Sequence, residues 1–159
     1  MKLRKGFTLV ELLIVIVIIG ILAAAMLLSS GSATASAEAS NIISDMSMVK
    51  VACAMWYGDH FDEVLTGTIP AISELMPYMD NPAKFGSSPN TDSNFTIVIG
   101  AEDRWFVNYD MSAAGANKTA TVRDKLSGRA RSIGLYIDDT SLAVGNIYAG
   151  GEEVSMPVH

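Results

Sequence analysis

The apolar positions along the chain follow three patterns. From Leu12 to Leu28 they form an unbroken run with no charged side chain. Counted from Phe7, the stretch to Leu28 is 22 residues, roughly 33 Å of helix at ~1.5 Å per residue, which is enough to cross a bilayer. Beyond it, Ala39, Ile42, Ile43, Met46, Val49, Cys53 and Trp56 recur at spacings of three and four. That spacing puts them on one face of a helix. Ser40, Asp45, Ser47 and Lys50 largely fall elsewhere. The nine small residues from Ser29 to Ala37 read either as a linker or as a helix that lets neighbours approach closely. The stripe that follows favours continued helix. The pattern therefore predicts one long helix from about Thr8 to Tyr57, apolar all round in its first half and striped in its second, with Gly58 as its stop.

The third pattern, from Gly58 onward, predicts an α+β head. Gly58 to Gly67 reads as a polar connection, and Pro70 to Met79 as a short helix with proline in its first turn. Asn94 to Gly100 alternates as a strand with Phe95, Ile97 and Ile99 on one side. Arg104 to Asp110 is a second strand, joined to the first by a hairpin at 101–103. Val122, Leu126, Ala130 and Ile133 make a helical stripe interrupted at Gly128. Ile133–Ile137 and Leu142–Tyr148 are expected as another strand pair around Asp138 and Asp139. The fold expected is a long N-terminal helix whose C-terminal half packs on a small antiparallel sheet. The organisation is 1–6 leader, 7–28 membrane or core half of the helix, 29–57 amphipathic half, and 58–159 head.

Charge adds direction. The leader carries Lys2, Arg4 and Lys5, and the next positive charge is Lys50. The excess of basic residues before the apolar run places residues 1–6 in the cytoplasm and the rest of the chain outside it. The chain has 11 basic and 17 acidic side chains; without the leader, 8 basic face 17 acidic, a formal charge of −9. So acidic a surface argues against general binding of nucleic acid through its phosphates.

Gly6-Phe7-Thr8-Leu9-Val10-Glu11 holds the most specific chemistry. An acid in a membrane-length apolar segment is costly and normally has a partner. Cleavage after Gly6 supplies one: the new α-amine of Phe7, in the same chain or a neighbouring one. An ordinary secretory signal is the plainer alternative, and Ala33-Thr34-Ala35 and Ala35-Ser36-Ala37 offer small-residue cleavage sites. The embedded acid and the length of the run oppose it, since a signal's apolar region usually has ~7–15 residues.

The basic leader, Gly6, Phe7, Glu11 and the run up to Ala25 resemble the prepilin leader of type IV pilins and type II secretion pseudopilins. The resemblance implies cleavage after Gly6 by a prepilin peptidase that also methylates Phe7, and a need for Glu11 in docking subunits. It implies a structural subunit, not an enzyme. Such a subunit is a single-pass precursor in the cytoplasmic membrane with its head outside, and then part of an extracellular or periplasmic helical filament. Its partners are copies of itself, related pilins, the peptidase and an inner-membrane assembly platform. A pilus subunit and a secretion pseudopilin both fit, and an exported enzyme or binding protein with an uncleaved anchor is the rival from another class. Two departures stand out. Many members have proline where this chain has Leu28, eight residues after the glycine matched by Gly20, and many close a C-terminal loop with a disulfide. Cys53, the one cysteine, cannot do so.

The head shows no catalytic, cofactor or metal constellation. Asp59-His60-Phe61-Asp62-Glu63 reads as a solvated turn, Cys53 as a buried structural thiol, and Asp138-Asp139 as a turn in place of a calcium loop. The sequons at Asn94 and Asn117 are of a kind frequent by chance. Of eight basic residues after the leader, five lie in 118–131: Lys118, Arg123, Lys125, Arg129 and Arg131. This stretch reads either as a solvated helix face or as a subunit contact with an acidic patch, for which 59–63 and 138–139 are candidates.

Overall fold

The computed structural model describes residues 6–65, 67–85, 94–100, 103–112, 118–137 and 146–158. The chain divides into two compact units, Met1–Thr34 and Ala35–His159. Helix α1, Leu9–Asp59, runs through the first from Leu9 onward and is the spine of the second. Its backbone stays helical through Gly20, Leu28 and Gly31. Glycine costs ~1 kcal/mol relative to alanine in a helix interior, too little to break so long a run of good formers. Thr34 in the small-residue stretch and Ser40 just beyond it return their hydroxyls to the helix itself, Thr34 to the Gly31 carbonyl at 3.0 Å and Ser40 to that of Ser36 at 2.9 Å. These side chains thus complete their hydrogen bonding without leaving helical geometry.

In the first unit every large apolar side chain from Phe7 to Leu27 is at least 46 % exposed. In the second, α1 buries the expected stripe: Ala39, Ile42, Met46, Val49, Cys53 and Trp56, joined by Ala35 and Ala52, with Ile43 partly buried. Asp45 is an exception to the polar assignment. It is buried beside the stripe, and the Lys84 ammonium donates to its Oδ1 at 2.6 Å. A carboxylate at that depth requires such a partner.

The helix runs through Gly58 to Asp59, and its end is set by His60, whose backbone (φ −119°, ψ 35°) leaves helical geometry. The expected polar connection then begins with a helical turn, α2 (Phe61–Val64). The short helix after Pro70 is α3 (Ile72–Leu75), continued by a 3₁₀ turn over Met76–Tyr78. A further 3₁₀ turn, Pro82–Phe85, brings Lys84 to Asp45.

Three antiparallel strands form one sheet in the order β1 (Phe95–Ile99), β2 (Trp105–Asp110), β3 (Glu153–Pro157). The first hairpin is as expected, with Ile97 opposite Val107 and Phe95 opposite Tyr109. Phe95 and Ile97 are buried, but Ile99, at the strand end, is 40 % exposed. In β2, Trp105, Val107 and Tyr109 alternate with Phe106, and all four are buried, as befits a central strand. The Trp105 ring lies 6.0 Å from Trp56 and 5.6 Å from Tyr57 of α1, which ties the sheet to the helix.

The second half of the head corrects the sequence expectation. Ile133 ends helix α4 (Ala120–Ile133), in which Val122, Leu126 and Ala130 are buried as the stripe predicts. Gly134 adopts φ 80° and closes the helix through its N–H to the Ala130 carbonyl at 2.8 Å. That left-handed position suits glycine and is why the chain turns there. Of the expected strand at 133–137, only Tyr136 forms bridges, to Ile147 and Ser155. The expected turn at Asp138-Asp139 and most of the strand from Leu142 lie outside the described residues. The third strand is Glu153–Pro157, where no strand was expected. Proline is tolerated because β3 is an edge strand and Pro157 is its last residue.

Candidate functional site

Gly6 and Phe7 precede the helix, and Phe7 is 86 % exposed. Thr8 is the residue before α1, and Glu11 sits in its first turn. The two complete a reciprocal cap. Glu11 Oε2 accepts from the Thr8 N–H at 2.8 Å and from the Thr8 hydroxyl at 2.7 Å, while the Glu11 N–H donates to Thr8 Oγ1 at 3.2 Å. This is the capping box S/T-x-x-E, in which two otherwise unpaired donors at a helix start are satisfied together. The spacing was present in the sequence, where Glu11 stands out only as an acid among apolar residues. The acid therefore has a partner in its own chain before any neighbour arrives, and its charge lies where the helix dipole favours it.

Downstream of that cap, α1 contains a segment long and apolar enough to cross a membrane. Among the described residues of the first unit, none covers the large apolar side chains from Phe7 to Leu27. A continuous apolar surface of this size demands lipid or other apolar segments around it.

The basic stretch divides into two groups. Lys118 donates to Glu38 Oε1 at 2.5 Å, and Arg129 Nη1 donates to Ser40 Oγ at 2.6 Å. Arg123 lies 3.8 Å from Glu152. These three fasten their own segments to α1 and to the C-terminal strand region, and the Glu38 carboxylate holds the Lys118 ammonium above its usual range. Lys125 is half-buried and Arg131 exposed, and neither has an ion-pair partner among the described residues. Together with the Lys84–Asp45 pair, these contacts are what the structure offers in place of a loop-closing disulfide.

The other candidates resolve into ordinary structure. His60 stacks on Trp56, with ring centroids 4.4 Å apart and planes 8° from parallel, and its Nδ1 lies 3.1 Å from the Trp56 carbonyl oxygen. Asp59 accepts from the Tyr78 hydroxyl at 2.8 Å. Among the described residues, no three His, Cys, Asp or Glu side chains converge as a metal site would require. Asn117, Asp138 and Asp139 lie outside those residues. Asn94 enters β1, its carbonyl accepting from the Asp110 N–H at 2.8 Å.

Cys53 is fully buried on the α1 stripe, and burial pushes its thiol up to about 12. At pH 8 the reactive thiolate is then on the order of one part in ten thousand, and reagent cannot reach it. Native-state labelling of the detergent-extracted chain with a maleimide is expected to proceed at least a hundredfold more slowly than labelling after denaturation. Equal rates would remove Cys53 from the packed face.

Two comparisons bear on this arrangement. Residues 1–27 match the family model for the prokaryotic N-terminal methylation motif. No curated protein matches the chain. The fold matches the solved structure of the major type IV pilin PilA1 from Clostridium difficile with a TM-score of 0.50, 17% sequence identity, and coverage of 80% of this chain and 98% of that one. The chain thus carries the prokaryotic N-terminal methylation motif over residues 1–27 and shares the fold of that type IV pilin structure.

Proposed function

We propose that the chain is a structural subunit of a type IV pilus-like filament. It is made as a membrane-anchored precursor, cleaved after Gly6, methylated on Phe7 and assembled through its N-terminal helix. The observation that carries this reading is the uncovered apolar surface from Phe7 to Leu27, within the segment that matches the methylation motif. In the precursor that surface faces lipid. In a filament it faces the same surface of other copies, so one sequence serves both states. Burial at ~25 cal/mol per Å² makes bundled stems the favoured state wherever lipid is absent.

The leader's three basic residues hold the start of the chain in the cytoplasm, and the acidic remainder faces outward. The partners of this reading are copies of the chain and related pilins, the prepilin peptidase and the membrane assembly platform. A pilus is preferred to a secretion pseudopilus because the fold match is to a type IV pilin. The test is to shear the surface of cells that express the chain and examine the released material by electron microscopy and immunoblot. Filaments containing this chain are expected, with none from a strain lacking the gene. If the chain remains wholly in the membrane fraction while substrate secretion fails in the deletion strain, the assignment moves to a pseudopilin.

A further inference from the structure

The part of α1 in the second unit has a basic stretch beside one end and acidic residues at the other. Lys118 bonds Glu38 and Arg129 bonds Ser40, so the basic stretch lies beside the start of this part. Arg131 follows Arg129 by two residues in α4 and is exposed. Asp59 closes α1, and Asp62 and Glu63 follow in α2. Ser40 and Asp59 are separated by about 30 Å at ~1.5 Å per helical residue.

The acidic end also holds a cleft. Its volume is about 290 Å³, and its lining includes Tyr57, Val64, Leu65, Ile99, Asp103 and Trp105. Leu65 is 71 % exposed and Ile99 40 %, so an apolar wall is left open to solvent. The carboxylate in the lining belongs to Asp103, which sits at φ 56°, a left-handed position that aspartate tolerates better than most residues. Its neighbour Arg104 is already engaged in an interaction of its own. Aromatic and aliphatic walls with one carboxylate suit a long cationic side chain better than an anion or a purely apolar group.

We propose that this cleft takes the Arg131 side chain of a second copy, so that the basic end of one head joins the acidic end of the next. The methylene stem covers the apolar wall, the guanidinium lies against the half-buried Tyr57 ring, and its fork meets Asp103. A contact between two different ends of the same chain is heterologous, and it propagates as an open filament unless its rotation closes a ring. The inference rests on the filament reading and adds to it a specific contact between heads.

The test uses the full-length chain in cells that assemble it. In sheared filaments, Arg131→Cys combined with Leu65→Cys is expected to give a ladder of disulfide-linked oligomers on mild oxidation. Either cysteine alone is expected to give none, because native Cys53 is buried. Arg131→Glu and Asp103→Asn are each expected to lower filament yield at least tenfold with membrane monomer unchanged. The double variant is expected to fall no further than the worse single. Assembled Arg131→Cys/Leu65→Cys filaments with no ladder would overturn the contact, as would wild-type yield from Arg131→Glu. Loss of binding to anionic lipid vesicles by Arg131→Glu, with filament yield intact, would assign the residue to a membrane surface instead. Absence of filaments from the unaltered chain is a separate outcome, and it overturns the filament reading itself.

Discussion

Replacing Glu11 by glutamine is expected to abolish filaments while leaving the helix cap and the membrane-inserted monomer in place. The geometry at Thr8 separates two functions of this residue that an alanine substitution would confound. Glutamine retains the side-chain carbonyl that accepts from the Thr8 N–H, so the capping box survives. It loses the charge that would meet the α-amine of Phe7 on an adjacent chain. In a filament core, removing one partner of a buried pair typically costs ~3–5 kcal/mol. At ~1.4 kcal/mol per factor of ten, that is more than a hundredfold in the equilibrium for adding each subunit. Alanine loses the charge and the cap together, the latter worth ~0.5–2 kcal/mol at the helix start. The expected order is wild type far above both variants in sheared filament. Membrane monomer should be equal in wild type and Glu11→Gln, and at most modestly lower in Glu11→Ala. Quantitative immunoblots of the sheared and membrane fractions decide it. Normal filaments from Glu11→Gln would mean that Glu11 serves only as a cap, and normal filaments from Glu11→Ala would make it incidental.

Local patterns in the sequence were sufficient where one element determined its own burial. The α1 stripe from Ala39 to Trp56, the β1–β2 hairpin and the Val122–Leu126–Ala130 face are legible because each repeats at the period of its element. The parts that were not legible depend on distant partners. Glu153–Pro157 is only five residues long and ends in proline, and it becomes a strand only by pairing with β2, more than forty residues earlier. Asp45 looks like a solvent-facing acid until the 3₁₀ turn at Pro82–Phe85 delivers Lys84 to it. Ile133 and Gly134 read as the start of a strand, but the buried α4 face carries the helix to Ile133 and Gly134 then closes it. The basic stretch shows the same limit. Its composition marks a patch, but only the contacts to Glu38, Ser40 and Glu152 separate the residues that hold the head together from Arg131, which they leave exposed.

Replacing Gly6 by leucine is expected to stop the chain as a full-length membrane precursor and to remove filaments altogether. Processing after Gly6 would do two things at once. It would discard Lys2, Arg4 and Lys5, and it would create an α-amine four residues before Glu11, which completes the cap. An uncleaved stem would carry three basic side chains into the region where apolar helices must meet. Burying even one unpaired charge costs several kcal/mol in practice, so three exceed what a stem contact supplies. In the proposed topology the same charges would also hold the leader on the cytoplasmic side, which would oppose extraction of the subunit from the membrane. The peptidase is expected to require the small residue, because a side chain at Gly6 would add bulk to the segment it must accommodate beside the cut. The measurement is intact-mass analysis of both fractions. The unaltered chain is expected to begin at Phe7 with one added methyl group, and Gly6→Leu to retain all residues from Met1 with no methyl on Phe7. A mature chain beginning after Ala35 or Ala37 would make residues 1–37 an ordinary secretory signal. Abundant filaments built from uncleaved Gly6→Leu would show that the leader is no obstacle to stem packing and that the apolar helix assembles without the Phe7 amine.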